Sequence, residues 1–415
     1  MGNWAEHWST DEVAQLRSAL GLSKASFAGR LKVHRRTAIR WEQGDTAPTN
    51  HRVIEALDDL LCETVRELSP LLSPIQVRQM HRRDALRLLA AGGGAPAGGV
   101  GWLWSDTLRR VDDRTLDHLE TVSAGLVGMY TTSPPGVLIG PVAAHLEDAT
   151  RLLTLAMSPP QRTRLHAGIA EIALLVGNLA HFAHRPAQAS AYLQLAEDHA
   201  HEAEGHTLLA AALTAQSHLR STIVSGGRSP SPEAIRLLAQ ADALARKHAP
   251  AIVQAWTAAR LAEEQACAHE AKGAEQAYEH AQGSLERAKG EALPVSCSTV
   301  NYHALLTGEG LDGFRGICDI LLDRPERAAA ALTSGLAHVS WPRRQAVILT
   351  DLGAALMGQD ELPEASTRLA QAHTLCVEHE YPMGLQRIYG VRDQFPPGSA
   401  DLACVQELDE RLRRA

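Results

Sequence analysis

One spacing of small residues and leucine recurs along this chain and limits what it can fold into. Gly177 is followed 12, 16 and 19 positions later by Ala189, Leu193 and Ala196. Antiparallel helices approach closely only where small side chains lie at their crossing. The spacing therefore predicts stacked pairs of helices, with the leucine filling the space between neighbouring pairs. The same offsets separate Gly316, Ala328, Leu332 and Gly335, and Gly353, Ala365, Leu369 and Ala372; weaker copies are Ala234, Leu238 and Ala241, and Ala277, Ala281 and Ser284.

The composition favours helices in the rest of the chain as well. Aromatic residues make up 4% of the sequence and hydrophobic residues 45%, and runs of Val, Ile and Thr with strand-like alternation are scarce. A chain of 415 residues is too long for one ordinary core, so two or three domains are expected. We therefore expect an all-α fold.

The recurring spacing resembles that of the tetratricopeptide repeat (TPR), a helix–turn–helix unit of about 34 residues. The tryptophan, tyrosine and proline positions of the full repeat are absent here. The resemblance implies a TPR-like α-solenoid, with five or more helix pairs over roughly residues 113–395. SADLACVQELDERLRRA, at the C-terminus, would be a polar capping helix.

Basic residues are concentrated near the N-terminus of an otherwise acidic chain. The net charge is −8, yet residues 17–40 contain seven Lys or Arg and no acid, whereas residues 41–64 contain six acids and one Arg. A net negative chain binds nucleic acid only through a local basic surface. The distribution predicts such a surface near residues 17–40.

The segment LSKASFAGRLKVHRRTAIRWEQG resembles the Xre-type helix-turn-helix of phage-repressor-like regulators, over about residues 9–64. Ala28, Val33, Ala38 and Trp41 match the apolar positions where the two helices and their turn pack. The resemblance implies a five-helix DNA-binding domain over residues 1–68, whose second motif helix enters the major groove. Lys32 stands where the family commonly has glycine, so it would have to adopt a left-handed conformation.

The resemblance also implies roles for individual residues. Arginine forks match the O6 and N7 atoms of guanine, so this helix would favour a G-rich half-site. The expected base-reading residues are His34, Arg35, Arg36 and Arg40, and the expected phosphate contacts are Lys24, Thr37, Thr49, Asn50 and Arg52.

A glycine-rich stretch indicates a domain boundary after this motif. GGGAPAGGVG, residues 92–101, has the composition of a flexible linker. We therefore divide the chain into the DNA-binding domain, a connecting helix and linker over residues 69–112, and a helical repeat domain for sensing and dimerisation over residues 113–415.

A helix-turn-helix followed by such repeats resembles the Rap, NprR and PlcR peptide-pheromone receptors, in which asparagines hold a peptide backbone. The chain has four asparagines, two of them in the first 50 residues, so the ligand is left open between a peptide and a small molecule. Polar residues in the first helix of each pair are candidate ligand contacts, and a merely solvated face is the alternative. These candidates are Arg164, Glu171, Asn178, Thr214, Arg220, Arg260, Glu264 and Asn301.

Other classes of function find little support in the sequence. GEGLDG at 308–313 has no preceding strand, and HAHEAEGH at 199–206 lacks HExxH spacing. The six cysteines form no CxxC pair, no run of 18 apolar residues exists, and the arginine pair in residues 81–97 only mimics an export signal. We expect a cytoplasmic homodimer that binds operator DNA, without catalytic activity, cofactor, metal or membrane contact. The rival reading is a scaffold or adaptor that acts through protein–protein contacts of the repeats.

Overall fold

The structure is a computed structural model, and it describes residues 8–20, 22–68, 110–130, 133–290 and 310–413. Within these ranges every regular element is a helix, apart from an isolated bridge between Arg110 and Ala156. The expected all-α class is thus confirmed for the described residues. The connecting helix and linker predicted over residues 69–112 lie outside them as far as residue 109, and so does Asn301.

The described residues 8–20 and 22–68 form four helices: α1 (Thr10–Ala19), α2 (Lys24–Arg30), α3 (Arg35–Gln43) and α4 (His51–Leu68). Their ends follow from local capping chemistry. Ser9 and Glu12 form a reciprocal capping box at the start of α1, and Ser23 accepts the Ser26 N–H at 3.1 Å at the start of α2. Gly44 ends α3 in the left-handed conformation.

The chain divides into two compact units, Met1–Gly168 and Ile169–Ala415. In the first unit, α5 (Asp113–Met129) contacts α6 (Pro135–Leu152), and α7 (Pro159–Phe182) begins. In the second unit, successive helices pack on one another from residue 186 to residue 288 and from residue 312 to residue 392, and the last helix packs on the helix at 362–378. These helices are α8 (Pro186–Glu202), α9 (His206–Arg220), α10 (Pro232–His248), α11 (Ala251–Cys267), α12 (Ala271–Ala288), α13 (Asp312–Leu321), α14 (Pro325–Leu336), α15 (Pro342–Gly358), α16 (Leu362–Glu378), α17 (Pro382–Arg392) and α18 (Ala403–Arg413).

The recurring glycine and leucine meet inside a helix pair. A Cβ atom added to Gly177 on α7 would lie 2.7 Å from Leu193 Cδ2 on α8, and one added to Gly353 on α15 would lie 3.0 Å from Leu369 Cδ2 on α16. Gly316 and Leu332 are in still closer contact. Our expectation that the leucine fills the space between neighbouring pairs was therefore wrong. It packs directly on the glycine of its own partner helix, because only glycine leaves room there.

A three-residue turn with one conformation joins the helices of many pairs. Its second residue is left-handed although it is never glycine, and its third residue donates a backbone hydrogen bond back to the helix, as Arg185 does to Ala180 O at 2.8 Å. This is the Schellman arrangement, which satisfies carbonyls left over at a helix end. The left-handed residues are His184, Glu204, His269, Asp323, Asp360 and Glu380.

Among the described residues, one helix is long and apolar enough to cross a membrane by length and composition alone. This helix is α7, and 72% of its most apolar window is buried inside the fold. Such burial is typical of the core helix of a helical domain.

Candidate nucleic-acid interface and the repeat interior

The inner face of α3 is anchored by apolar side chains that do not depend on its charges. Ala38 and Trp41, three positions apart, are buried at 0% and 5% exposure, so they lie on one face of the helix. Phe27 and Ala28 of the neighbouring helix α2 are also buried, and α2 contacts α3. The sequence therefore fixes which face of α3 is left outside.

Three arginines occupy that outer face. Arg35, Arg36 and Arg40 are exposed, and none forms a side-chain hydrogen bond or ion pair with another described residue. At the start of the helix, His34 Nδ1 accepts the Arg36 backbone N–H at 3.2 Å. This cap places the ring proton of a neutral His34 on Nε2. The first turn of α3 thus presents guanidinium groups and one imidazole N–H donor to solvent.

A buried carboxylate ties α3 to the two helices before it. Glu42, whose side chain is 6% exposed, forms ion pairs with Arg17 of α1 and, at 3.1 Å, with Lys24 of α2. Burial disfavours the charged carboxylate, but the hydrogen bonds and charges of Arg17 and Lys24 outweigh it and lower the pKa of Glu42. Lys24, expected to contact phosphate, therefore has an internal partner and stays 40% exposed.

The other predicted phosphate contacts lie at or near the surface. Thr37 is half-buried, and Thr49, Asn50 and Arg52 are exposed at the start of α4. Asn50 Oδ1 accepts the Arg52 backbone N–H at 3.0 Å, so it caps α4 and leaves its amide N–H groups free. Lys32 has φ of 54°, the left-handed conformation expected where the family commonly has glycine.

The candidate ligand residues of the repeat region are placed differently from one another. Arg164 donates to Glu120 at 2.7 Å and to Asp117 at 2.6 Å, and these bonds raise its pKa. Glu171 is half-buried and Asn178 is buried.

Two further candidates have protein partners of their own. Thr214 is fully buried and lies 3.1 Å from Thr257, oxygen to oxygen. Arg220, at the end of α9, is exposed and pairs with Glu233 at 3.4 Å.

Arg260 and Glu264, both candidate ligand contacts, pair with each other in the interior of the second unit. Arg260 Nη2 lies 3.2 Å from Glu264 Oε1, and Arg260 also pairs with Glu263. Burial lowers the pKa of Arg260, while Glu264 opposes the change; a guanidinium still stays charged at neutral pH.

Two histidines beside this cluster are held neutral. The rings of His181 and His218 stack with centroids 5.7 Å apart. Burial, followed by the charge of Arg260, lowers the pKa of His181 to about 4 and that of His218 well below its ordinary value. The interior at this point holds one buried guanidinium, two carboxylates and two uncharged imidazoles.

Sequence reasoning missed a second buried pair. Arg387 on α17 donates to Asp351 Oδ1 on α15 through Nε at 3.0 Å and Nη2 at 2.6 Å. Burial raises the pKa of Asp351, and Arg387 opposes the change. Asp351 lies on the first helix of the α15–α16 pair, the kind of position that supplied the candidate Arg260. Arg387 and Asp351 are 36 positions apart, and no sequence pattern at that distance predicts that they form a pair.

The histidine-rich segment 199–206 spans the end of α8 and the start of α9. Among the described residues, no group of three His, Cys, Asp or Glu side chains is arranged to hold a metal ion.

Comparisons with known proteins identify no family. No protein-family model matches this chain, and no curated protein matches it. Among solved structures it is similar to the crystal structure of BtubC (BKLC) from P. vanneervenii, at 15% identity and a TM-score of 0.38. That similarity covers 58% of this chain and 91% of that chain. At such a TM-score the likeness carries no conclusion about function.

Proposed function

We propose that the chain is a cytoplasmic, sequence-specific DNA-binding transcriptional regulator and that α3 is its reading helix. The observation that carries the proposal is the arrangement of Arg35, Arg36 and Arg40. They are exposed and without partners among the described residues, on a helix whose opposite face is buried through Ala38 and Trp41. Their guanidinium groups are therefore accessible to the edges of DNA bases.

The dimensions of the motif suit duplex DNA. Helix α3 has nine residues and is about 13 Å long at 1.5 Å per residue, while the major groove is about 12 Å wide and admits one helix. Residues 31–34 form a short turn between α2 and α3, as in helix-turn-helix units. Arginine pairs bidentately with guanine, so a G-rich half-site fits these side chains.

The surrounding residues supply phosphate contacts. The start of α4 presents the exposed side chains of Thr49, Asn50 and Arg52, and helix N-termini attract phosphate. Lys24 uses part of its donor capacity on Glu42, but an ammonium has three N–H groups. Lys24 therefore contacts phosphate as well as Glu42 in this proposal.

In the same proposal the repeat region senses a ligand, a peptide or a small molecule, and mediates homodimerisation. One helix-turn-helix makes a modest contact, and paired half-sites raise affinity through effective concentration. Because Arg260 and Glu264 are buried at 5% and 0% exposure, a ligand reaches them only in a conformation more open than the one described. Such a ligand acts by binding that conformation better.

Selection of genomic fragments by the purified protein tests the proposal. Wild type should enrich fragments with a shared motif, and the double variant Arg35→Ala/Arg36→Ala should lose the enrichment. The matched control is Arg236→Ala/Arg413→Ala, which removes the same charge from exposed positions elsewhere. Equal enrichment by all three proteins, or none by wild type, would contradict DNA reading by α3 and favour the scaffold alternative.

A further inference from the structure

One connection in the second unit has a structure of its own. Residues 221–231, here called the latch loop, join α9 to α10 and contain the short 3-10 turn Ile223–Ser225. Thr222 Oγ1 donates to Ser229 O at 2.9 Å and accepts the Ser229 N–H at 3.1 Å, and Gly227 N–H donates to Thr222 O at 2.9 Å. The loop thus closes on itself, in the manner of a compact Ω-loop.

The latch loop docks on helix α17, far along the chain. Arg387 Nη1 donates to Ile223 O, across 164 positions, and Gln394 Nε2 donates to Gly226 O at 2.6 Å. Ile223 is 2% exposed and is the one fully buried apolar side chain of the loop. Docking therefore rests on one apolar side chain, two hydrogen bonds to backbone carbonyls, and an exposed ion pair in which Arg228 Nη1 lies 3.7 Å from Asp323 Oδ1.

A glycine inside α17 makes this docking possible. A Cβ added to Gly390 would collide with the Ser225 carbonyl oxygen and lie 3.4 Å from Gly226 Cα. Glycine is a poor helix former, so its place in a helix indicates a packing reason. Here that reason is the approach of the loop backbone.

The partners of the loop have other interactions that survive its departure. Arg387 keeps both bonds to Asp351, and the loop keeps its internal bonds. The end of α7 also contacts the start of α17 directly, since the Phe182 and Tyr381 ring centroids lie 5.7 Å apart. Undocking of the loop therefore leaves the helices assembled.

We infer that the latch loop is a releasable gate. When docked it covers the buried Asp351–Arg387 pair, and when it undocks it exposes this pair to solvent. The small cavity between loop and helices, about 10 Å³, is lined by Ile223, Asp351 and Arg387 among others. It has room for about one water molecule, so nothing larger enters until the loop moves. The inference does not depend on DNA binding.

Thiol labelling measures the gate. Ile223→Cys is present in every protein compared and places a reporter at the docked position; the ratio of its alkylation rates between backgrounds, read by peptide mass spectrometry, reports undocking. Adding Gly390→Ala should speed alkylation at position 223 at least tenfold, because the new methyl group displaces the loop while it favours the helix. The matched control is Gly283→Ala, also in a helix of the second unit, where the added Cβ meets only Arg287 Nη1 at 3.8 Å.

Equal alkylation rates in the two backgrounds, with unchanged helical circular dichroism, would overturn the gate. If Gly390→Ala loses helical signal, Gln394→Ala replaces it, since that variant removes one exposed hydrogen bond to the loop, at Gly226 O, and one to Gly390 O in α17. It should raise the rate several-fold over the exposed control Gln406→Ala, and no increase would again overturn the gate. Neither result bears on operator binding, which the fragment selection tests separately.

Discussion

Glycine-to-alanine substitutions at the helix crossings should destabilise the protein in an order set by the structure. In an ordinary helix interior, alanine is favoured over glycine by about 1 kcal/mol. An added methyl group in a packed core costs about 1–3 kcal/mol. A Cβ at Gly316 meets Leu332 most closely, one at Gly177 lies 2.7 Å from Leu193, and one at Gly353 lies 3.0 Å from Leu369.

We therefore expect Gly316→Ala to lose about 1–2 kcal/mol of unfolding free energy, Gly177→Ala about 1 kcal/mol, and Gly353→Ala to be close to neutral. The control Gly283→Ala should gain up to about 1 kcal/mol. Chemical denaturation followed by circular dichroism measures all four. If every variant were stabilised like the control, the close glycine–leucine packing would be refuted.

A double-mutant cycle checks that leucine is the partner. Leu332→Ala alone removes a fully buried leucine and should cost about 2–5 kcal/mol. In the Gly316→Ala background the cost should fall, because the added methyl group then occupies space that the leucine leaves. Strictly additive effects would contradict direct contact between these two residues.

Three further predictions concern single polar features. Glu42→Gln should lower the free energy of unfolding by about 1.5–3 kcal/mol at neutral pH. Because the pKa of Glu42 is lowered in the folded protein, its stabilisation is present above the unfolded-state pKa and is lost as the pH falls through the folded-state pKa. The denaturation curves of the two proteins should therefore converge in acid. His184→Gly should stabilise the folded protein by about 0.5–1 kcal/mol, because glycine adopts the left-handed conformation at φ of 56° without strain. An unchanged melting temperature would contradict this. Asp351→Asn should cost about 3–5 kcal/mol by leaving buried Arg387 without its counter-charge, whereas replacing both residues by apolar ones should cost less in the same melting assay.

Local chemistry made the N-terminal region predictable from the sequence. Ser23 and Gly44 mark helix ends by capping preferences, and Ala38 and Trp41 mark the buried face by their spacing. The same reasoning placed Lys32 in a left-handed turn. These signals act within a few residues of one another, so one sequence suffices to read them.

Long-range placement was beyond the sequence. The recurring spacing identified Gly316 and Leu332 but placed the leucine between neighbouring helix pairs when it packs inside its own pair. The offsets do not say which helix faces which. Arg260 and Glu264 were flagged through their spacing on one helix, yet their burial depends on helices far along the chain. Arg387 was missed because its partners, Asp351 and Ile223, are distant in sequence.

Binding of the selected operator fragment measures the central claim most directly. Fluorescence anisotropy would compare wild type with Arg36→Ala on the operator and on a copy with its guanines replaced. The account predicts that the variant binds the operator about 5- to 150-fold more weakly, which is 1–3 kcal/mol, and no longer distinguishes the two duplexes at that position. Unchanged affinity and unchanged discrimination would mean that α3 does not read the DNA.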